Sequence, residues 1–126
     1  MNDEDNQLAT SLARLGYDVW IGNSRGTTVS HRHVNFTEHD PEFWNFSFHE
    51  MGQYDVPANL NFITSFTKVD KVTYVGHSQG TMQFWVANML NDHVHTMVDK
   101  FIGLAPIISM KHYNGLLPQI LLNLNF

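Results

Sequence analysis

The chain has 126 residues, no cysteine, 43% hydrophobic and 13% aromatic residues, and a formal net charge of -5 at pH 7. That length allows at most one ordinary domain, and the apolar content supports a packed core rather than a disordered chain. The acidic balance points away from nucleic acid and anionic membranes as partners, and the lack of cysteine excludes disulfides, thiolate metal sites and cysteine catalysis.

The first residues, MNDEDNQLATSLARLG, are acidic and polar, without the basic-then-apolar order of a signal peptide. No apolar run of about 18 residues predicts a transmembrane helix. Leu8, Leu12 and Leu15 recur at helical spacing and Gly16 supplies a stop, which predicts a helix over 6–15. YDVWIGN (17–23) reads as a buried strand, followed by a turn that Gly22 and Gly26 bracket. Residues 27–46 are polar and aromatic without periodicity. They predict a long surface loop, unusual enough in a compact domain to point to function. Two N-x-S/T sequons fall in it, at Asn35 and Asn45, and matter only in a chain that enters the secretory pathway.

Ser47-Phe-His-Glu50 has the form of a capping box and opens a short helix. Pro57 is tolerated only in a first turn, so a fresh helix is expected from Asp55 to about Lys68, with Ala58, Phe62 and Phe66 on its inner face. KVTYVG (71–76) predicts the second strand. Gln79 to about Asn91 predicts the next helix, with Met82, Val86, Met89 and Leu90 facing inward. KFIGLAPI (100–107) predicts a third strand ended by Pro106, and the tail NGLLPQILLNLNF is apolar without a stop signal. Trp20, Trp44 and Trp85 are expected in the core. Strands separated by helices imply right-handed crossovers and a parallel sheet covered on both faces.

Gly76-His77-Ser78-Gln79-Gly80 matches G-x-S-x-G between a predicted strand and a predicted helix. A serine at such a turn sits in strained backbone geometry with Oγ projecting outward. Glycines two residues before and after let the strand and helix backbones approach. The Gln79 amide opens the helix and points where an acyl oxyanion would form. The five residues alone are a weak signal and the strand-helix context strengthens it. The competing reading is an inert serine acting as a helix cap.

Across the chain the sequence resembles the acid lipase family of α/β-hydrolases, the gastric and lysosomal acid lipases. The resemblance runs from about residue 8 to about residue 115. It rests on LGYDVWIGNSRGTTVSHRH (15–33), EFWNFSFHEMGQYDVPANLNFI (42–63), VTYVGHSQGTM (72–82) and FIGLAPI (101–107). It implies an α/β class and a partial α/β-hydrolase fold, parallel strands alternating with helices, with early and late strands missing. The whole of 1–126 would be core, 107–126 beginning the cap that covers the acyl site. Ser78 would be the nucleophile and Gln79 would give one oxyanion-hole amide. The other amide belongs to a His-Gly-type loop expected upstream of Leu8, and the aspartate and histidine of the triad are expected beyond residue 126. The implied substrate is a lipid ester, a triacylglycerol or cholesteryl ester. The implied setting is secreted or lysosomal, with transient contact at a lipid interface and no cofactor. His49 departs from the pattern, standing where the family usually has an acidic residue.

The histidines of the chain are poor bases for Ser78. His93 and His95 follow a helix of about 13 residues, which at 1.5 Å per residue sets them ~20 Å away. Their H-x-H spacing lacks a third metal ligand. His31 and His33 are expected as solvated loop residues, and His77 as packing around the site. His112 follows the third strand on the same sheet edge as Ser78, but no aspartate after Asp99 exists to orient it. Asp18, Asp55, Asp70 and Asp99 read as structural, Asp55 as a helix cap. Arg25 reads as an ion pair or backbone clamp holding its turn.

The expected activity is lipid ester hydrolysis through a serine acyl-enzyme. The alternatives are a truncated protein without catalysis, and another serine esterase or acyltransferase of the same fold. By the resemblance, the strand carrying the upstream oxyanion loop lies between YDVWIG and KVTYVG, so both would expose apolar edges without it. The 126-residue chain expressed alone is therefore expected to aggregate or stay molten. Calorimetry and gel filtration check this, and a sharp cooperative melt of a monomer would contradict it.

Overall fold

The computed structural model describes residues 7–109. Its centre is a pair of parallel strands, β1 (Val72–His77) and β2 (Val98–Leu104), joined through helix α4 (Gln79–Leu90) and the short helix α5 (Val94–Met97). β-branched and aromatic residues fill both strands, which suits a pleated, half-buried surface. The register sets Gly76 beside Gly103 and His77 beside Leu104, with one irregularity between Val72 and Thr73.

The core lies on one face of this pair. Val56, Leu60, Phe84, Ala87, Val94 and Met97 are buried together, with Val72, Tyr74, Trp85, Val98 and Phe101 packed against them. Phe84 stacks on Phe101 with ring centroids 4.3 Å apart, and Tyr74 and Trp85 close around the same pair. The opposite face, with Val75, Ile102 and Leu104, is exposed. The expectation of a sheet covered on both sides is thus corrected among the described residues. The helix that crosses from β1 to β2 and the helix before β1 feed one and the same cluster.

The predicted strand at 17–23 does not form. A strand needs a ladder partner, and the sheet of the described residues contains β1 and β2 alone. Residues 17–23 instead run without regular structure along helix α3 (Val56–Thr67), where Trp20 meets Phe62 and Phe66 edge-on at 5.9 and 5.5 Å. Those contacts reverse the predicted face of α3. Phe62 and Phe66 are more than half exposed beneath Trp20, while Val56, Pro57 and Leu60 are the buried residues. In α4 the buried face also differs from the predicted one. Thr81, Gln83, Phe84 and Ala87 are buried, whereas Met89 and Leu90 are exposed. Helix α1 (Leu8–Arg14) forms where the spacing predicts it and ends at Gly16 with φ 90, but it buries none of its residues. Trp20 and Trp44 are part-exposed rather than core.

The capping box at Ser47 is present in full. Its hydroxyl accepts from the His49 amide while Glu50 accepts from the Ser47 amide at 2.7 Å. Hydrogen bonds led by the Ser47 amide hold the Glu50 carboxyl below its ordinary range. The His49 side chain is exposed beside it. The helix does not restart at Asp55. Short helix α2 (Phe48–Glu50) passes through a π-helical segment, Met51–Asp55, straight into α3. The wider π turn carries the backbone past Pro57, which has no N–H to donate. Asp55 caps nothing with its side chain. It receives Arg25 as a fork, with contacts of 2.6 and 2.9 Å to one carboxylate oxygen, plus the Arg25 backbone amide at 2.9 Å. The predicted clamp role of Arg25 holds, and the hydrogen bond to Asp55 raises the guanidinium pKa.

The long loop is ordered by rings. Phe43, buried in the 3-10 turn Pro41–Trp44, packs edge-on against Trp44 and His31. His31 is only part-exposed, and its Nδ1 lies 3.0 Å from Glu38. The expectation of a solvated His31 is therefore corrected, because an imidazole between Phe43 and Trp44 excludes water from one edge. His33 is exposed, as expected, and its Nδ1 accepts the amides of Asn35 and Phe36.

The π segment packs on α4 at Gly52, where a Cβ would stand 2.6 Å from Val86 Cβ and 2.7 Å from the Gln83 carbonyl oxygen. Gly52→Ala is expected to lower stability by about 1–3 kcal/mol, the usual cost of overpacking. Gly22→Ala, where the nearest atom is 3.9 Å away, serves as the neutral control. Urea midpoints of the two variants of the native protein check this.

Candidate active site

β1 ends at His77, and the chain turns into α4 through Ser78 alone. Ser78 has φ 50 and ψ -115, a backbone conformation that side-chain-bearing residues rarely adopt. Its amide donates to the Leu104 carbonyl at 2.9 Å, tying the turn to the end of β2. Gly76 makes the turn sterically feasible. A Cβ there would come within 3.0 Å of the Gly80 carbonyl carbon and oxygen. The second glycine works differently from expectation: a Cβ at Gly80 meets nothing within 4 Å among the described residues. Gly80 matters there as the backbone that Gly76 approaches. It also accepts the Tyr74 hydroxyl at 3.1 Å, and burial raises the pKa of that phenol.

Ser78 stands at the N-cap of α4 but makes no side-chain capping hydrogen bond. That disfavours the inert-cap reading, since a cap serine uses its oxygen on a first-turn amide. Gln79 follows as the first residue of α4, where a backbone N–H has no intrahelical acceptor and the helix dipole favours negative charge. Ser78 is partly exposed beside this amide, a placement compatible with an oxyanion forming there.

The histidines read as poor bases make no hydrogen bond to Ser78 among the described residues. His77 is exposed at the end of β1 rather than packed around the site, which corrects that expectation. His93 holds the N-cap position of α5 at the far end of α4 without a side-chain capping bond, and His95 lies within α5. His31 is the histidine with a carboxylate at 3.0 Å, but its ring belongs to the Phe43–Trp44 cluster and its Nε2 is buried without a partner. His112 and the predicted cap residues from 110 onward lie outside the described residues; 107–109 are irregular. No group of three or more potential metal ligands occurs among the described residues, and none of their helices is long and apolar enough to cross a membrane. Two clefts open beside Arg25, Gly26 and Phe46, and neither is lined by Ser78.

A family model described as alpha/beta hydrolase fold matches residues 2–124. The chain belongs to the α/β-hydrolase fold family. The partial sheet of two parallel strands, with a serine at the turn between β1 and α4, is the portion of that fold the described residues supply. The resemblance to acid lipases holds across the chain. It is 44% identical over 119 residues to gastric triacylglycerol lipase of Rattus norvegicus, covering 94% of this chain and 30% of the relative. Identity to lipase member K of Homo sapiens is 44% over 111 residues, covering 88% and 28%. The human gastric triacylglycerol lipase is 41% identical over 119 residues, covering 94% and 30%. The chain thus spans less than a third of the length of these curated relatives.

The motif singles out Ser78 and Gln79, and Arg25 reads from the sequence as an ion pair or clamp. Its partner Asp55 is not legible there, nor are the Tyr74 hydroxyl bond to Gly80 and the Ser24 to Gln83 hydrogen bond at 3.1 Å. The Arg25–Asp55 and Ser24–Gln83 pairs lie 30 and 59 residues apart, and no spacing rule announces them. For the hydrolase elbow, Gly76→Ala is expected to cost about 1–3 kcal/mol through its clash with Gly80, with Gly80→Ala close to neutral. Chemical denaturation of the native protein carrying each variant, followed by circular dichroism, checks the pair.

Proposed function

We propose that Ser78 is the nucleophile of a lipid ester hydrolase acting on triacylglycerols or sterol esters. The observation that carries the reading is the Ser78 hydroxyl, held at positive φ at the strand-to-helix turn without a capping bond. The lipid substrate is supported by the relatives, which are named lipases.

In this reading Oγ attacks the ester carbonyl carbon and its proton passes to a general base. The carbonyl electrons move onto oxygen, where the Gln79 amide donates to the oxyanion. The tetrahedral intermediate collapses, the C–O bond to the alcohol breaks, and the leaving alkoxide takes the proton back from the base. Water then attacks the acyl-serine by the same route, releasing the fatty acid and restoring Ser78. The proposal assigns the base and its orienting carboxylate to residues outside 7–109, as no histidine among the described residues is hydrogen-bonded to Ser78.

The test is a fluorophosphonate probe applied to the native protein purified from its source, followed by peptide mapping. The adduct is expected on the peptide containing Ser78, with long-chain ester hydrolysis lost in parallel. An adduct elsewhere, or none, refutes the assignment. Labelling with acyl transfer to an alcohol in preference to water would identify an acyltransferase instead.

A further inference from the structure

We propose that Thr81 is a positioning residue for the candidate nucleophile, its hydroxyl locking the Ser78 backbone to the turn that follows β2. The inference rests on the reading of Ser78 as nucleophile and adds the device that holds it.

Thr81 lies one turn into α4 and is fully buried. Its Oγ1 donates to the Ser78 carbonyl at 2.6 Å and accepts from the Ile107 amide at 2.9 Å. A threonine hydroxyl has one proton to give, and here it goes to Ser78, leaving a lone pair for Ile107. Burial keeps both bonds out of competition with water. The Ser78 carbonyl also accepts from the Thr81 amide at 2.9 Å, and the Ser78 amide donates to Leu104. Both peptide groups of Ser78 are therefore fastened, one to β2 and the other through Thr81 to Ile107. The rotation of Oγ about the Cα–Cβ bond is the freedom that remains.

The turn on the other side needs holding as well. Ala105 has φ 47, so two residues bearing side chains sit in the left-handed region at the ends of neighbouring strands. Such conformations persist only where surrounding contacts over-determine them. The Ile107 amide has left the ladder, and Thr81 supplies its acceptor. The elbow and the 105–107 turn thus share one hydroxyl, and moving either moves the other.

The experiment compares Thr81→Ser, Thr81→Ala and Thr81→Val in the native protein, reading the fluorophosphonate labelling rate at Ser78 and amide exchange at Ile107. Thr81→Ser keeps the hydroxyl and should retain the labelling rate and the Ile107 protection. Thr81→Ala and Thr81→Val should slow labelling by about tenfold, the scale of the lost hydrogen bond to Ser78, and, by losing the second bond, expose the Ile107 amide. Should the valine variant fail to fold, the serine–alanine pair decides. A hydroxyl role separates those two variants, whereas a packing role for the methyl makes them fall together and overturns the proposal. Wild-type labelling rates in the alanine and valine variants overturn it as well. Absence of labelling at Ser78 in the wild type defeats the nucleophile reading itself, and the positioning role goes with it. That result is distinct from labelling that ignores Thr81.

Discussion

Everything around the candidate site depends on one strained peptide unit. Ser78 must reverse the chain from strand to helix within a single residue, and the left-handed backbone that does so is unfavourable for any side chain. The cost is met by position. Leu104 can accept the Ser78 amide because β2 lies parallel to β1 with His77 beside Leu104. Gly76 lets the backbone of α4 come down onto the end of β1. The core beneath keeps α4 at that height, since Phe84 stacks on Phe101 and Ala87 has no exposed surface. A shift of α4 would disturb the turn and the ring stack together.

A second constraint organises the residues before β1. The π segment places Gly52 against Val86 and brings Asp55 to Arg25, so the same local widening serves both contacts. Gln83 adds a polar tie. It accepts the Ser24 hydroxyl and reaches the Met51 sulfur at 3.1 Å. Residues 24–26 are thereby fixed to the helix that carries the elbow. The aromatic cluster of His31, Phe43 and Trp44 then gives the long loop a small core of its own, with Trp44 donating to the Glu38 carbonyl at 2.9 Å. This is a loop held by rings and side-chain bonds rather than by a ladder.

The exposed face of the sheet and the unpaired stretch at 17–23 share a physical origin. Parallel strands are stable when helices cover both faces and neighbours pair both edges. Among the described residues α3 and α4 cover one face, and β1 and β2 pair only with each other. Trp20, Phe62 and Phe66 consequently form an exposed aromatic group of their own, away from the buried cluster.

Elements whose signals are local are legible in the chain without its fold. The capping box at Ser47, the stop at Gly16 and the strand-glycine-serine-helix order around Ser78 form where their residues predict, because each depends on neighbours within a few positions, whereas β2 runs from Val98 to Leu104 instead of the predicted 100–107. Which helix faces turn inward depends instead on packing between elements distant in the chain. Ala58, Phe62 and Phe66 share a face, as do Val56 and Leu60, and hydrophobicity alone does not rank the two. The position of Trp20 and the sheet does. The strand at 17–23 failed for the same reason, since a strand is a relation between two segments and one segment cannot specify it. At the site, the motif named Ser78 and Gln79, but Thr81, Tyr74 and Leu104 became visible only when folding brought their polar atoms to the turn. Thr81 is buried and Tyr74 half-buried, so their hydroxyls must find partners, and the fold alone fixes which partner is within reach.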